Sequence, residues 1–470
     1  MNSVRDSFDN KWIAFLGYLL LTESFLLALF YTNPIFLILS ICSIFLVYFF
    51  YKFFITSLYL WVIILIASTA LDQWGRVING ITVFHIAWFL SILSLLIAVL
   101  YKHKFTVIIK TPINKYVFFY ISFSFFTLIF SPNVESGLQY LATTLALFLF
   151  FLVLLNVIKS IKHYKIIIYS FIGSNLFLSM LALYQLLFQN ILYFGRYSTE
   201  TSTGEKIWRV SATFDDPNVA ATFMFVGILF TLGVIIYSRE KLVLKILLVI
   251  SLIPSIAGII ATFSRSGWVS LIAGIIVLVL FQKNKKYILY TLIVSIIIFG
   301  AFLIYTPYGE FITSRFESIF EIMSDVSIRT RVFMAVSGIW MFLDNPIFGI
   351  GYRGFPVLYD YYIHPETPRV LLHMKESHTL FITLLAETGL IGVSIVFLWF
   401  KRVFKDNISF IRKVRDPFLI SILVSCFATF VALNIDFLFY GSLFPHFNLI
   451  WLIFAIIYSV EKNFIDINST

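Results

Sequence analysis

Four arginines stand out among the residues of this chain that could do chemistry. Arg209, Arg265, Arg331 and Arg353 lie in polar segments between long apolar stretches. A guanidinium offers a planar fork of donors that pairs bidentately with phosphate or carboxylate, and it stays charged beside lipid. These arginines therefore indicate an oxyanion ligand, with contact to lipid headgroups as the alternative for any one of them.

Arg265 is the sharpest single case. It lies in ATFSRSGW, a connection of only a few residues between two apolar stretches, where a positive charge opposes membrane insertion. An arginine in such a place is a functional candidate, because something must offset its cost. A structural pair with Asp436 or Asp72 is the alternative.

One histidine precedes an apolar stretch in the segment KESHTLFITLLAETGL. Ser377 is available there as the N-cap of a helix, which puts His378 at the helix N-terminus. Helix N-termini disfavour imidazolium, so a neutral His378 can act as a base or a hydrogen-bond partner near neutral pH. Most lone histidines have no such role, and His364 and His373 are weaker candidates. Glu387, about two and a half helical turns further on, lies within the apolar stretch and predicts a proton pathway or a partner for a buried arginine.

The segment WRVSATFDDPNVAATF places a turn directly before another apolar stretch. Arg209 precedes this turn, which consists of Asp215, Asp216, Pro217 and Asn218. Asp-Pro turns and helix N-caps account for such a pattern. Two adjacent carboxylates could also bind a divalent ion together with substrate phosphates. We expect the turn and cap rather than the metal site.

The elements that must position these residues are membrane helices. Of the 470 residues, 60% are hydrophobic and only 12% are charged, and the mean hydropathy is +0.96. Soluble domains carry about 25% charged residues, so the composition excludes a soluble enzyme with an anchor. The formal net charge of +10 is interpreted as membrane orientation rather than nucleic-acid binding. Cys42 and Cys426 both lie in apolar stretches and predict neither a disulfide framework nor a metal-ligand spacing.

Hydropathy predicts an all-α polytopic membrane protein with about 12–14 transmembrane helices. A span needs about 20 mainly apolar residues, and fourteen candidates are centred near residues 22, 42, 63, 90, 123, 148, 177, 228, 253, 274, 296, 389, 426 and 452. Of the 34 Lys and Arg residues, 23 fall on the side of the N-terminus and 11 on the other side, nine of these in two long loops. Because short loops carry the orienting charge, both termini are predicted to be cytoplasmic.

The two long outer loops span residues 189–217 and 305–377 and hold most of the polar residues. The second loop contains EFITSRFESIFEIM and RTRVFMAVSGIWMFL, whose apolar residues recur at three and four positions. This spacing predicts helices that lie along a membrane surface. They could shape a functional groove or only shield loop backbone from lipid.

Four segments together resemble the bacterial O-antigen ligase and polymerase superfamily of membrane glycosyltransferases. They are RVSATFDDPNVAA, ATFSRSGW, RTRVFMAVSGIWMFLDNPIFGIGYRGF and SHTLFITLLAETGLIG, in the order and spacing of the family across residues 205–400. Residues 1–200 resemble it only as a stack of spans. We therefore expect N-terminal transmembrane helices over 1–204, an O-antigen ligase-like catalytic region over 205–400 that includes the extracytoplasmic loop 305–377, and C-terminal transmembrane helices over 401–470.

The resemblance implies transfer of a glycan from undecaprenyl pyrophosphate to an acceptor hydroxyl at the extracytoplasmic face of the bacterial cytoplasmic (inner) membrane. It implies a glycan, lipid or protein acceptor and contact with membrane lipids. It also implies that the chain uses no nucleotide sugar, metal ion, other cofactor or nucleic acid.

Site residues follow from the same motifs. Arg209 and Arg265 are implied to bind the pyrophosphate, and His378 to orient or deprotonate the acceptor hydroxyl, which predicts inversion at the anomeric carbon. The sequence departs from many relatives at Thr379, where they have asparagine. Substrate-binding candidates of second rank are Arg331, Arg353, Asn218 and Glu387.

The motifs do not separate polymerases, which lengthen a lipid-linked chain, from ligases, which move a finished polymer to a lipid or protein acceptor. The Lys-, Ile-, Phe- and Asn-rich composition is typical of an AT-rich genome. A host with one membrane would have no lipopolysaccharide core, so polymerisation of cell-surface polysaccharide repeat units is the favoured interpretation. A flippase or transporter for a lipid-linked glycan is the alternative from another class. Transporters place polar groups and broken helices near mid-membrane, whereas most polar residues of this chain lie in the two predicted outer loops.

Overall fold

The computed structural model describes residues 76–78, 81–82, 110–188, 209–214, 216–282, 326–367, 379–439 and 447–465. Within these ranges the chain is helical apart from turns and one short antiparallel pair of strands, β1 (Arg76–Ile78) and β2 (Ile81–Thr82). The five predicted spans centred near residues 22, 42, 63, 90 and 296 lie outside the described residues.

The α-helices in the described ranges are α1 (Asn114–Thr127), α2 (Val134–Val157), α3 (Ile161–Phe188), α4 (Pro217–Tyr237), α5 (Leu242–Ala261), α6 (Arg265–Phe281), α7 (Val326–Asp344), α8 (Phe355–Leu358), α9 (Leu380–Lys413), α10 (Pro417–Asp436) and α11 (Phe447–Val460). 3₁₀ turns follow α1 at Leu128–Phe130 and α8 at Tyr359–Tyr361, and a π turn follows α11 at Glu461–Ile465.

Several helices begin where short polar side chains satisfy backbone N–H groups that have no partner within the helix. Asn133 caps α2 by accepting from the N–H of Ser136 at 3.0 Å. Asp216 caps α4 and Asp416 caps α10, and in both cases a proline follows at the first helical position. Proline is favoured there because its missing N–H would have no helical partner and its φ suits a helix.

Seven of the described helices are long and apolar enough to cross a membrane: α2, α3, α4, α5, α9, α10 and the segment Asn448–Ile465. The apolar segments Asn114–Phe130 and Arg265–Phe281 are shorter. All nine coincide with predicted spans, and the prediction of an all-α polytopic membrane protein is confirmed. The prediction of a helix in RTRVFMAVSGIWMFL is also confirmed, since that segment lies in α7. Its companion EFITSRFESIFEIM lies outside the described residues.

The helix α4 lies at the centre of the described bundle and packs against α3, α5, α6 and α10. It is apolar on all sides, as expected of a helix enclosed by others, and most of its length is buried. Small residues allow this close packing: a Cβ added to Gly267 of α6 would come within 2.7 Å of the Cβ of Ala221 in α4. The rings of Phe171 in α3 and Phe223 in α4 also pack together, tilted by 32° with centroids 4.7 Å apart.

A second part of the bundle carries the long loop. The helix α11 packs against α2, while α9 packs against α1 and α7. Buried tryptophans join these helices: the ring centroids of Trp399 in α9 and Trp451 in α11 are 5.4 Å apart. The helix α7 is therefore held to the bundle through α9.

Alternation of helix direction separates the charged residues into two ends of the bundle. At one end, here called the lysine end, Asn463 donates to the carbonyl oxygen of Ile158 at 2.8 Å and Lys165 pairs with Glu240. At the opposite end, here called the arginine end, the N–H of Val210 donates to the carbonyl oxygen of Ala261 at 3.5 Å. The described part of the arginine end carries Arg209, Arg265, Arg331 and Arg353, and that of the lysine end carries Lys159, Lys165, Lys241 and Lys413.

The helix α9 is broken near its start, where we had expected one continuous span centred near residue 389. Gly389 has φ 61° and ψ −162°, a non-helical backbone conformation that side chains exclude. A second correction concerns the cap: Thr379, not Ser377, precedes the first helical residue, and it makes no side-chain capping bond. His378 comes one residue before this cap and lies outside the described residues.

The turn between α7 and α8 satisfies the backbone groups that the break in α9 releases. The N–H of Ile350 donates to the carbonyl oxygen of Ala386 at 2.9 Å, and the N–H of Gly351 donates to the carbonyl oxygen of Glu387 at 3.1 Å. In the other direction, the N–H of Leu390 in α9 donates to the carbonyl oxygen of Pro346 at 2.9 Å. Gly349 permits the close approach, since its φ is 75° and an added Cβ would lie 2.4 Å from the carbonyl carbon of Glu387. The break in α9 thus forms the docking site for the long loop.

Candidate functional site

Arg209 is held in a fixed orientation at the arginine end. Its Nε donates to the carbonyl oxygen of Thr262 at 3.0 Å, and its Nη2 donates to Oδ1 of Asn218 at 3.1 Å. Thr262 follows α5, whereas Asn218 is the second residue of α4. The guanidinium therefore joins two connections that lie 53 residues apart in the chain.

Asn218 connects Arg209 to the turn that carries Arg265. Its Oδ1 also accepts from the hydroxyl of Ser264 at 2.8 Å, and its N–H donates to Oδ1 of Asp216 at 2.6 Å. The turn and N-cap expected around Asp216 are therefore present at the start of α4. A single amide oxygen orients both a guanidinium and a hydroxyl beside Arg265.

Contacts of Ser264, Gly267 and Trp268 fix the segment that contains Arg265. Ser264 caps α6 by accepting from the N–H of Gly267 at 3.3 Å. Gly267 packs closely against Ala221 of α4, and the indole N–H of Trp268 donates to the carbonyl oxygen of Ile259 at 3.2 Å. Arg265 itself is the first residue of α6 and is half-buried. Its backbone is therefore positioned by its neighbours on both sides.

Two residues near Arg209 adopt left-handed backbone conformations without being glycine. Ala212 and Phe263 both have φ 51°. Such conformations cost about 1–2 kcal/mol per residue and persist only where the surrounding contacts hold them. Non-glycine residues of this kind concentrate at functional sites, and here both lie within three residues of Arg209 or Arg265.

Asp436 is a buried carboxylate that joins four helices at this site. It is 1% exposed, lies at the end of α10 and accepts from the hydroxyl of Thr222 in α4 at 2.6 Å. The hydroxyl of Ser266 in α6 also donates to it, and Arg331 in α7 attracts it electrostatically. Thr222 in turn donates to the carbonyl oxygen of Asn218 at 3.0 Å. The second-rank candidate Arg331 is thereby placed near the Arg209 group, which here means Arg209, Asn218, Thr222, Ser264, Arg265 and Asp436.

The start of α9 docks next to Asp436. The N–H of Leu380 donates to the carbonyl oxygen of Phe437 at 3.0 Å. The hydroxyl of Thr379 donates to the carbonyl oxygen of Leu438 at 3.3 Å. Thr379 is the residue that follows His378 in the sequence. The described backbone therefore enters α9 beside the residues that form the Arg209 group.

Arg353 and Glu387 belong to a different group, at the turn between α7 and α8. The guanidinium of Arg353 lies 3.7 Å from the ring centroid of Tyr140, and Arg353 has a left-handed φ of 62°. Glu387 is 2% exposed and accepts from the N–H of Phe355 at 3.2 Å. Burial raises the pKa of the Tyr352 phenol well above its ordinary value of 10.0, and its neighbours Tyr120 and Glu387 raise it further. The phenol is therefore a neutral hydrogen-bonding group.

Several residues that shape the site were missed by sequence reasoning. Thr222, Ser264 and Ser266 are ordinary polar residues in or beside apolar helices, and Gln185 of α3 is another. A partial signal is present, because Asn218 and Thr222 are four residues apart and share one face of a helix. Nothing in the sequence shows which distant carboxylate or guanidinium these residues meet.

The arrangement of the Arg209 group is suited to binding a compact anion. The Asn218 amide orients the guanidinium of Arg209 and the hydroxyl of Ser264, which precedes Arg265, and Arg331 lies near the buried carboxylate of Asp436. Preorganised donors of this kind favour a ligand with several oxyanion groups, such as a diphosphate. Among the residues that the structure describes, no three His, Cys, Asp or Glu side chains gather into a group that could hold a metal ion.

Comparison with known proteins bears on this region. Residues 246–397 match the family model described as O-antigen ligase, and no curated protein matches the chain. The matched region begins within α5, contains Ser264–Trp268, Arg331 and Arg353, and ends within α9 after Glu387. The match supports a membrane glycosyl-transfer function in polysaccharide biosynthesis, with a lipid-linked glycan and an acceptor as substrates. Residues 246–397 are similar to the O-antigen ligase family, and the resemblance predicted from the motifs is confirmed over that region.

Proposed function

We propose that this protein is a metal-independent, inverting glycosyltransferase that polymerises repeat units of a cell-surface polysaccharide. Its donor is a glycan carried on undecaprenyl pyrophosphate, and its acceptor is a sugar hydroxyl of a second lipid-linked chain. The reaction takes place at the extracytoplasmic face of the cytoplasmic membrane, on the arginine end of the bundle.

The observation that supports this proposal most directly is the shared network around Asn218. Arg209 and the turn that holds Arg265 come from separate connections, yet one amide oxygen orients the guanidinium and the Ser264 hydroxyl together. A guanidinium held in this way, with Arg265 in the turn that follows Ser264, suits the two phosphates of a pyrophosphate. The two arginines stabilise the negative charge that develops as the bond to the anomeric carbon breaks.

The reaction proposed at this site forms one bond and breaks one. The oxygen of the acceptor hydroxyl attacks the anomeric carbon, and the bond from that carbon to the pyrophosphate oxygen breaks. His378 receives the hydroxyl proton, and undecaprenyl pyrophosphate leaves paired with Arg209 and Arg265. Attack from the face opposite the leaving group gives inversion. Arg331 and Arg353 hold the donor or acceptor, and the helices of the long loop limit access of water.

The size distribution of surface and lipid-linked glycan tests the proposal. A deletion strain is complemented with the wild type, with Arg209→Ala, or with His378→Ala. The matched control is Arg412→Ala, which removes an exposed arginine from the lysine end. We expect collapse to single repeat units in the deletion strain, rescue by the wild type and by Arg412→Ala, and no rescue by the other two variants.

Other outcomes separate the competing functions. Full-length glycan stranded on its carrier lipid indicates a ligase that moves finished polymer. Repeat units that accumulate on the inner leaflet, with full rescue by His378→Ala, indicate a flippase and contradict the proposed reaction. Expression and membrane insertion of each variant are checked by immunoblotting of membrane fractions.

A further inference from the structure

Gln185 forms two hydrogen bonds with Ala212, in the turn that begins at Arg209. Its Nε2 donates to the carbonyl oxygen of Ala212 at 2.8 Å, and its Oε1 accepts from the N–H of Ala212 at 2.9 Å. Both backbone groups of one residue are thus bound by one side-chain amide. Gln185 lies near the end of α3, within an apolar helix that is long enough to span the membrane.

Ala212, the residue that Gln185 binds, has a strained backbone conformation. Ala212 has φ 51°, which an L-residue adopts only under constraint from its surroundings. The side chain of Gln185 is 4% exposed, and hydrogen bonds are stronger in such a low-dielectric environment. The two bonds therefore supply the constraint that the left-handed conformation needs.

The same turn sets the position of Arg209. Arg209 lies three residues before Ala212, and the intervening Val210 bonds through its N–H to the end of α5. On the other side of the turn, the ring of Phe214 packs against Phe223 with centroids 5.8 Å apart. Without the hydrogen bonds to Ala212, the segment between Val210 and Phe214 would be less ordered. The hydrogen bond from Arg209 to Thr262 would then be held less firmly.

We propose that Gln185 is a positioning residue, which holds the Arg209–Phe214 turn so that Arg209 is preorganised for its anionic ligand. It acts through Arg209 and does not touch the substrate. This inference rests on the proposed function, because it assumes that Arg209 binds the pyrophosphate of the donor.

The test combines a structural and a functional measurement on the full chain in membrane vesicles. Cys42 and Cys426 are replaced by alanine, and Ser211→Cys introduces one thiol beside Ala212. Ser211 is 1% exposed, so the thiol is shielded from maleimide while the turn is held. Transfer is followed as release of undecaprenyl pyrophosphate from lipid-linked glycan purified from the deletion strain.

Gln185→Leu removes both hydrogen bonds. We expect labelling of the thiol to accelerate about tenfold or more and transfer to slow by about 10- to 100-fold. The matched control is Gln139→Leu, which alters an exposed glutamine of α2 and should leave both rates unchanged.

A rescue variant separates positioning of the turn from general packing. Ala212→Gly removes the penalty for the left-handed conformation, so in the Gln185→Leu background it should restore transfer by about fivefold. A residue that only filled space in the bundle would show no such recovery.

Three results overturn the inference: unchanged labelling in Gln185→Leu, faster labelling with unchanged transfer, or no rescue by Ala212→Gly. Arg209→Ala is assayed in parallel to identify the source of a failure. If Arg209→Ala is inactive while Gln185→Leu is fully active, the positioning role is wrong. Wild-type transfer by Arg209→Ala would contradict the proposed function itself, whereas the labelling rates do not depend on that assignment.

Discussion

Single acceptor groups fix the orientation of Arg209 and of the hydroxyl groups at this site. The Oδ1 atom of Asn218 accepts from both Arg209 and Ser264, and the carboxylate of Asp436 accepts from both Thr222 and Ser266. Each acceptor joins residues from separate segments of the chain. Because the site lies among apolar helices, loss of one acceptor leaves buried donors without partners, which costs more than the bond itself contributes.

Asn218→Ala is expected to slow transfer by about 10- to 100-fold. A hydrogen bond to a charged group contributes about 1.5–3 kcal/mol, and each 1.36 kcal/mol corresponds to about a tenfold change in rate. Initial rates of transfer in vesicles provide the measurement. Asn434→Ala is the control, because the Asn434 amide donates to the carbonyl oxygen of Phe430 in its own helix. A wild-type rate for Asn218→Ala would show that Arg209 needs no orienting partner.

Thr222→Val should lower both stability and transfer, because it removes the hydroxyl that donates to Asp436 and leaves the shape of the side chain nearly unchanged. The expected loss of unfolding free energy is about 1–3 kcal/mol. Thr231→Val is a close control: Thr231 is buried in the same helix, and its hydroxyl donates to the carbonyl oxygen of Gly227. Thermal unfolding in detergent compares the two variants. Equal midpoints would contradict a special contribution from the bond to Asp436.

At the scale of elements, the break in α9 holds the long loop against the membrane bundle. A continuous helix would satisfy its own backbone groups and offer nothing to the turn between α7 and α8. With Gly389 in a non-helical conformation, the carbonyl oxygens of Ala386 and Glu387 accept from that turn instead. The loop that carries Arg331 and Arg353 is therefore positioned by the break in α9 at Gly389.

Gly389→Ala is expected to destabilise the protein by at least about 2 kcal/mol, because its backbone conformation is essentially restricted to glycine. An added Cβ would also lie 2.4 Å from the carbonyl oxygen of Ile347. Gly173→Ala serves as control, since nothing lies within 4 Å of a Cβ added there. In a helix that exchange should be neutral or stabilising by up to about 1 kcal/mol. Unfolding midpoints that do not differ between the two variants would contradict this account of the break.

At the scale of the whole molecule, the described lysines lie at the lysine end of the bundle, whereas Arg209, Arg265, Arg331 and Arg353 lie at the opposite end. Lysines beside short connections orient a membrane protein with that side toward the cytoplasm. This rule predicts that the arginine end faces outward, which the proposed function requires. The charge separation and the position of the Arg209 group therefore agree with a reaction at the extracytoplasmic face.

Thiol labelling in intact cells tests this orientation. In a background without Cys42 and Cys426, we introduce Tyr361→Cys at the arginine end or Arg412→Cys at the lysine end. Tyr361 is 82% exposed. A membrane-impermeant maleimide should label Tyr361→Cys at once and Arg412→Cys only after permeabilisation. The reverse pattern would place the arginine end in the cytoplasm and exclude the proposed reaction.

The sequence by itself determined the class of the fold and the most prominent arginines. Long apolar stretches must form helices in lipid, because backbone groups have no other partners there. This is why the nine described apolar helices agree with the hydropathy prediction. Arg265 was recognisable because a charge in so short a connection is costly, and Arg209 because it precedes the turn that starts α4.

Only the tertiary structure decided how these residues are positioned. Gln185 and Ala212 are 27 residues apart, Asn218 and Ser264 are 46, and Thr222 and Asp436 are 214. Local patterns carry no information about which partner a buried amide or hydroxyl meets at such distances. The break at Gly389 was missed for the same reason, since its backbone groups are satisfied by a turn elsewhere in the chain. Hydropathy depends on composition along the chain, whereas orientation of a site depends on which polar groups the packed helices bring into contact.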